Sequence, residues 1–159
     1  MKRRDILNQL LAGAAASALW GARPALAYEV THTDAEWRKL LSPAANATLR
    51  HEATEAPFTS PLNNEHRKGV FACAGCALDL YSSDTKFDSG TGWPSFYKPL
   101  ANAVGTKTDN MLGMTRTEVH CRRCGGHLGH VFDDGPKPTG LRYCMNGVAM
   151  TFKPSLKQA

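Results

Sequence analysis

Beyond residue 27 this chain has no apolar run long enough to span a membrane, no long block of like charge, and no repeat except two short cysteine pairs. The first absence leaves no stretch in that region able to cross a membrane as a helix. The second argues against nucleic acid. Setting aside Lys2, Arg3, Arg4, Arg23 and Asp5, residues 28–159 carry 15 basic against 13 acidic side chains, too even a balance for a polyanion-binding face. Arg122-Arg123, between the third and fourth cysteines, reads as the solvated tip of a turn. Cysteine is also scarce: five in 159 residues, four of them paired and one alone.

The chain opens on an address. Lys2-Arg3-Arg4 precedes Asp5-Ile6-Leu7, a weakly apolar stretch from Leu10 to Ala22 and then Ala25-Leu26-Ala27. A basic start, a short apolar core and an Ala-x-Ala site make a cleavable export signal. The adjacent arginines followed by x-Ile-Leu resemble a twin-arginine signal. Residues 6–22 also read as an uncleaved anchor, but Asn8, Gln9 and Gly13 leave them short of a convincing span. The expectation is cleavage near Ala27/Tyr28, export by the twin-arginine machinery and a periplasmic protein. That route carries folded proteins, so thiolate ligands would be metal-loaded before meeting an oxidising compartment.

Residues 28–159 are enough for one domain with a modest core. Thr33-Asp34-Ala35-Glu36 has the form of a capping box, with Trp37, Leu40 and Leu41 at helical spacing. Ser42-Pro43 predicts a second short helix to about His51. A Pro- and Asn-containing connection follows, Pro57 to Asn64. From Gly69 the pattern shifts to short segments broken by turn residues. The strand candidates are Val70–Cys73, Leu78–Tyr81, Val104–Lys107, Met111–His120, His130–Phe132 and Leu141–Phe152. Short strands without intervening helices predict a mainly β fold. Two antiparallel sheets would form a small β-sandwich or open barrel behind short N-terminal helices.

Cys73/Cys76 and Cys121/Cys124 form two Cys-x-x-Cys pairs with 44 residues between Cys76 and Cys121. Paired knuckles of this kind point to a four-thiolate, structural zinc site holding one Zn2+. Redox dithiols would need a thioredoxin-like strand-to-helix context, which neither pair has. Structural disulfides are a second reading, which a periplasm permits. A local site of Cys121, Cys124, His127 and His130 would leave almost no loop between ligand pairs. Four thiolates also leave no open position for a metal-bound water, which disfavours a zinc hydrolase.

With four sulfurs assigned to structure, Cys144 is free for chemistry. In a strand, Arg142, Cys144 and Asn146 would share one face, placing a cation and an amide beside a thiol. An inert buried cysteine is the plainer alternative. Gly125-Gly126-His127-Leu128-Gly129-His130-Val131-Phe132 sets two imidazoles beside the second knuckle, where the metal can hold them as proton donors. Ser89-Gly90-Thr91-Gly92-Trp93-Pro94-Ser95-Phe96 reads as a loop presenting an indole, or as a core tryptophan.

Phe71 to Cys76, Lys86 to Phe96, Cys121 to Phe132, and Arg142-Tyr143-Cys144-Met145-Asn146 together resemble the B-type peptide-methionine sulfoxide reductases, and the resemblance runs from about Asp34 to Phe152. It implies two antiparallel sheets with zinc away from the active site, and Cys144 attacking the sulfur of methionine-R-sulfoxide. His130 and Asn146 match residues that bind or polarise the sulfoxide oxygen, and His127 matches a nearby histidine. Trp93 matches the indole against the substrate methyl, while Asp134 and Arg142 match polar positions around the site. Many relatives carry a resolving cysteine where this chain has Thr91. An external thiol, thioredoxin-like or small, is therefore expected to reduce a Cys144 sulfenic acid. The expected protein is a monomer with no nucleic-acid partner, repairing oxidised exported proteins. A non-enzymatic zinc-ribbon interaction module is the competing reading.

Overall fold

Thr33 starts the first helix, α1 (Asp34–Leu40), by accepting the Glu36 N–H on its hydroxyl at 3.3 Å. The Glu36 carboxylate in turn accepts the Thr33 N–H at 2.8 Å, so two otherwise orphaned amides are satisfied reciprocally. Ser42 caps α2 (Pro43–His51) on the Ala45 N–H at 3.2 Å, and Pro43, which has no N–H to satisfy, takes the first turn. Both predicted helices are present at these positions in the computed structural model, which describes residues 28–155. The expected export signal, residues 1–27, lies outside the described residues. Among the described residues no helix is long and apolar enough to cross a membrane.

The helices pack on the second knuckle. Trp37 and Leu49 are buried, and the Arg50 guanidinium lies 4.9 Å from the Trp37 ring while donating to the Cys124 carbonyl at 3.1 Å. A cation on an aromatic face with a satisfied donor is a tight way to close this corner.

Nine short strands follow among the described residues: β1 (Gly69–Cys73), β2 (Asp79–Ser82), β3 (Lys86–Phe87), β4 (Ser95–Phe96), β5 (Val104–Asp109), β6 (Arg116–Cys121), β7 (His127–Phe132), β8 (Arg142–Met145) and β9 (Met150–Pro154). They form two antiparallel sheets, as expected, ordered β2-β1-β9 and β3-β4-β8-β7-β6-β5. Aromatic rings join the sheets. Tyr81 of β2 stacks on Phe96 of β4 at 4.3 Å, and Phe71 of β1 meets Phe96 edge-on at 4.9 Å. All three are fully buried, and the Tyr81 hydroxyl donates to the Met145 sulfur at 3.1 Å. A buried phenol thereby keeps a partner.

Two strand expectations need correction. Met111–His120 is not one strand: Met111–Gly113 is a 3-10 turn, and pairing begins only at Arg116. Met111 and Met114 are exposed, so there is no buried face to hold that stretch in a sheet. Leu141–Phe152 is likewise broken. β8 ends at Met145, Gly147–Ala149 forms a 3-10 turn, and β9 crosses to the other sheet beside β1. The turn forms because the Gly147 and Val148 N–H groups leave the ladder and donate to the Glu55 carboxylate. β3 and β4, two residues each, carry too little alternation to be visible in sequence.

Candidate active site and metal centre

The four paired cysteines converge. Their sulfurs all lie within 4.8 Å of one another, with Cys73 3.7 Å from Cys124 and Cys76 3.4 Å from Cys121. None is disulfide-bonded, so the disulfide reading does not hold in this fold. A tetrahedral site with sulfurs about 2.3 Å from a metal has edges of about 3.8 Å, close to both of these separations. Four thiolates cannot share so small a volume without a cation. Contact with Cys121 and its neighbours pushes the Cys73 thiol far up. The cluster is therefore built to hold a metal ion.

Cys144 sits in the middle of β8. Its partner on one side is Ser95 of β4 and on the other His130 of β7. Side chains directly opposite across antiparallel strands have Cβ atoms about 4.5–5.5 Å apart, so the register delivers an imidazole beside the thiol. A cavity of about 130 Å³ opens over this pair, and its lining includes Trp93, Arg116, Gly129, His130, Cys144 and Asn146. Gly129 admits that approach: a Cβ there would overlap the Cys144 carbonyl oxygen.

Each remaining predicted residue has a distinct place. The Trp93 indole N–H donates to the Glu55 carbonyl at 3.1 Å, which turns the ring as one wall of the cavity. Gly92, at φ +96°, passes so close to Phe58 and Pro57 that a side chain would collide. Asn146 is buried, accepting the Glu55 N–H at 3.0 Å and donating to the Leu128 carbonyl at 3.1 Å. Arg142 sits beside the cavity, against Phe132 of its lining. Its guanidinium covers the Phe132 ring at 4.4 Å and grips Asp134 with two 2.8 Å hydrogen bonds. The Asp134 bond, with the Cys144 sulfur as a smaller contributor, holds the Arg142 pKa above its ordinary value.

His127 and His130 are three apart, which in a regular strand puts them on opposite faces. An irregularity between Val119 and His120 of β6 shifts the register, and the two rings end 5.5 Å apart. His127 lies deeper, 3% exposed, and its Nδ1 meets Glu118 Oε1 at 2.8 Å. Its Nε2 has no partner among the described residues. Burial raises the Glu118 carboxyl, but the bonds to His127 and Lys107 more than offset it, and the group stays below its ordinary range.

Three residues at the site were invisible in sequence. Asp109, at the end of β5, accepts from His130 Nε2 at 2.8 Å and from Arg116 Nη2 at 2.7 Å on the same oxygen. The Met111 N–H and these two partners hold the Asp109 carboxyl down to about 2. Burial pushes the His130 imidazole below its ordinary value, and the Asp109 bond partly restores it. Arg116 itself lines the cavity. Glu55, on the loop after α2, touches Trp93, Asn146 and the turn after Cys144. No spacing rule links it to them, since it precedes Asn146 by 91 positions.

Beside Cys144, the Thr91 hydroxyl lies 3.7 Å from the sulfur. It continues through Ser89 at 2.8 Å to the buried Ser95 at 2.7 Å. The other four cysteines all belong to the metal cluster.

Comparison with known proteins agrees with this geometry. The SelR domain family matches residues 41–154. A protein from Agrobacterium fabrum named "Peptide methionine sulfoxide reductase MsrB" is 53% identical over 127 residues, covering 79% of this chain and 94% of that protein. Proteins of the same name from Leptospira interrogans and Thiobacillus denitrificans are 51% and 54% identical, over 79% and 77% of this chain and 97% and 93% of theirs.

Proposed function

We propose that this chain, which belongs to the SelR-domain family of peptide methionine sulfoxide reductases, reduces the R epimer of methionine sulfoxide at Cys144. The observation that carries this is the register of β7 and β8, which pairs His130 with Cys144 at the floor of a cavity walled by Trp93.

The chemistry needs a nucleophilic sulfur and a proton for the departing oxygen. Asp109 is a pure acceptor, so it holds the proton of His130 on Nε2 and leaves Nδ1 as the nitrogen that titrates. Neutral His130 takes the Cys144 proton. The thiolate attacks the sulfoxide sulfur, and the imidazolium returns the proton to the oxygen as the oxygen passes to sulfur. The products are methionine and a Cys144 sulfenic acid, the first rung of thiol oxidation. Asn146 offers its second amide hydrogen to the sulfoxide oxygen. The Trp93 face receives the S-methyl and separates the epimers by orientation.

With Thr91 beside Cys144 and the other cysteines in the metal cluster, no neighbouring thiol can resolve the sulfenic acid. An external thiol, small or thioredoxin-like, attacks it to give a mixed disulfide and water; a second thiol releases Cys144. Zinc is the metal we assign to Cys73, Cys76, Cys121 and Cys124, because four thiolates suit a closed tetrahedral site. It would staple the knuckles that carry β7 and take no part in the reaction. The arginine pair and Ala25-Leu26-Ala27 support export to a periplasm, where oxidised exported proteins would be the substrates.

The test is reduction of a peptide carrying racemic methionine sulfoxide, with dithiothreitol and the metal-loaded protein. Loss of the R epimer alone, abolished in Cys144→Ser, is expected. No turnover at full metal occupancy would sink the reading.

A further inference from the structure

We infer that Glu55 is the positioning residue of the site, orienting Trp93 and Asn146 together through its own backbone; this rests on the reductase reading above. Its N–H donates to Asn146 Oδ1 at 3.0 Å, and its carbonyl accepts from Trp93 Nε1 at 3.1 Å. Its carboxylate accepts the Gly147 N–H and, at 3.1 Å, the Val148 N–H. One residue on the loop after α2 therefore ties down the indole wall, the amide and the chain that leaves β8.

The bonds dictate orientation as well as place. A backbone N–H can only donate, so the atom of Asn146 facing Glu55 is the oxygen. Asn146 Nδ2 also donates to the Leu128 carbonyl at 3.1 Å, which leaves one amide hydrogen for a ligand. Residue 146 is thereby locked as a donor toward the cavity it lines. Were the amide reversed, two N–H groups would meet at Glu55, and an acceptor would face the sulfoxide oxygen.

The side chain of Glu55 acts one step back. An unanchored loop would let the Glu55 peptide group drift from Trp93 and Asn146. The carboxylate prevents this by binding the Gly147 and Val148 amides, charge-assisted bonds stronger than neutral ones. Glu55 touches no reacting atom, yet it fixes two groups that do.

The experiment uses the full, metal-loaded chain and the variants Glu55→Ala and Glu55→Gln. Four quantities are read: KM and kcat for the R-sulfoxide peptide, the alkylation rate of Cys144 by iodoacetamide, metal content, and the emission of Trp93 (each protein minus its Trp93→Phe counterpart). In Glu55→Ala, KM should rise about tenfold or more and Trp93 emission should shift to the red. Alkylation and metal content should stay within about twofold, because neither depends on the aim of Asn146. Glu55→Gln keeps one acceptor and should recover part of the KM. An unchanged KM per active site in Glu55→Ala, or a loss that only tracks metal and active fraction, overturns the proposal. If Glu55→Ala does not fold, the same readings on Glu55→Gln decide, with unchanged KM overturning it. If the native protein reduces no sulfoxide, the function fails separately and Trp93 emission judges the positioning: no shift in Glu55→Ala overturns it.

Discussion

Asp109 Oδ2 lies 2.8 Å from His130 Nε2, joining the end of β5 to the histidine that faces Cys144. That oxygen also receives Arg116 Nη2 at 2.7 Å. Carboxylate, imidazole and thiol thus run in sequence across the six-stranded sheet. The arrangement defines both the tautomer of His130 and the direction in which its affinity for a proton is biased.

The first prediction concerns pH. Burial holds the His130 pKa below 6.5, and the Asp109 bond opposes that shift. In the proposed mechanism a neutral imidazole receives the Cys144 proton, so kcat/KM should rise with pH through a limb below 6.5. Removing the carboxylate charge disfavours the imidazolium, so Asp109→Asn should move that limb to lower pH. It should also reduce kcat by about tenfold or more, as loss of an oriented acid–base group does. The linked stability runs in the same direction. The unfolded imidazole binds its proton more readily than the folded one, so His130 subtracts stability as pH falls below 6.5. A pH–rate profile beside pH-dependent urea unfolding checks both signs.

A second concerns Thr91, whose hydroxyl is 3.7 Å from the Cys144 sulfur. Thr91→Cys should let the sulfenic acid close an internal disulfide, which the native chain cannot form there. One equivalent of sulfoxide without reductant, followed by a non-reducing peptide map, should show the 91–144 link in the variant. The native protein should instead give a dimedone-trapped Cys144.

A third concerns the metal. Cys76→Ser removes a ligand from a cluster whose structural zinc would contribute on the order of 10 kcal/mol, as much as the whole stability of a typical domain. Loss of metal should therefore unfold the knuckles and the β7 segment before any specific kinetic defect appears. Metal analysis with thermal unfolding tests this. A folded, metal-free and active Cys76→Ser would contradict it.

A fourth concerns Gly129, which lines the cavity and packs on the Cys144 backbone. Gly129→Ala should cost about 1–3 kcal/mol from forced displacement of β8. Activity should fall further than stability, because the same displacement breaks the pairing of His130 with Cys144. Denaturant unfolding and kcat/KM measured on one preparation separate the two effects.

Much of this molecule is local and therefore legible in order along the chain. Thr33 and Ser42 announce their helices because a cap acts on amides three residues away. The four paired cysteines announce a metal because ligand spacing is set by metal geometry, and the structure brings all four together. Cys144 stands out by arithmetic once those four are assigned. The antiparallel sheets follow from short segments broken by turns.

What the order of residues could not decide was which distant groups meet. Regular alternation would part His127 from His130, and only the β6–β7 irregularity brings the rings to 5.5 Å. Arg142 shares the strand of Cys144, but its contacts with Phe132 and Asp134 are set by the fold. Asp109 reaches His130 from two strands away, and Glu55 reaches Asn146 across 91 positions. Alternation and caps are short-range properties carried by neighbours. Register, crossover between sheets and the seating of a loop depend on the whole chain closing on its core, so Cys144 and His130 could be named from the sequence, and their supports Asp109, Arg116 and Glu55 only from the fold.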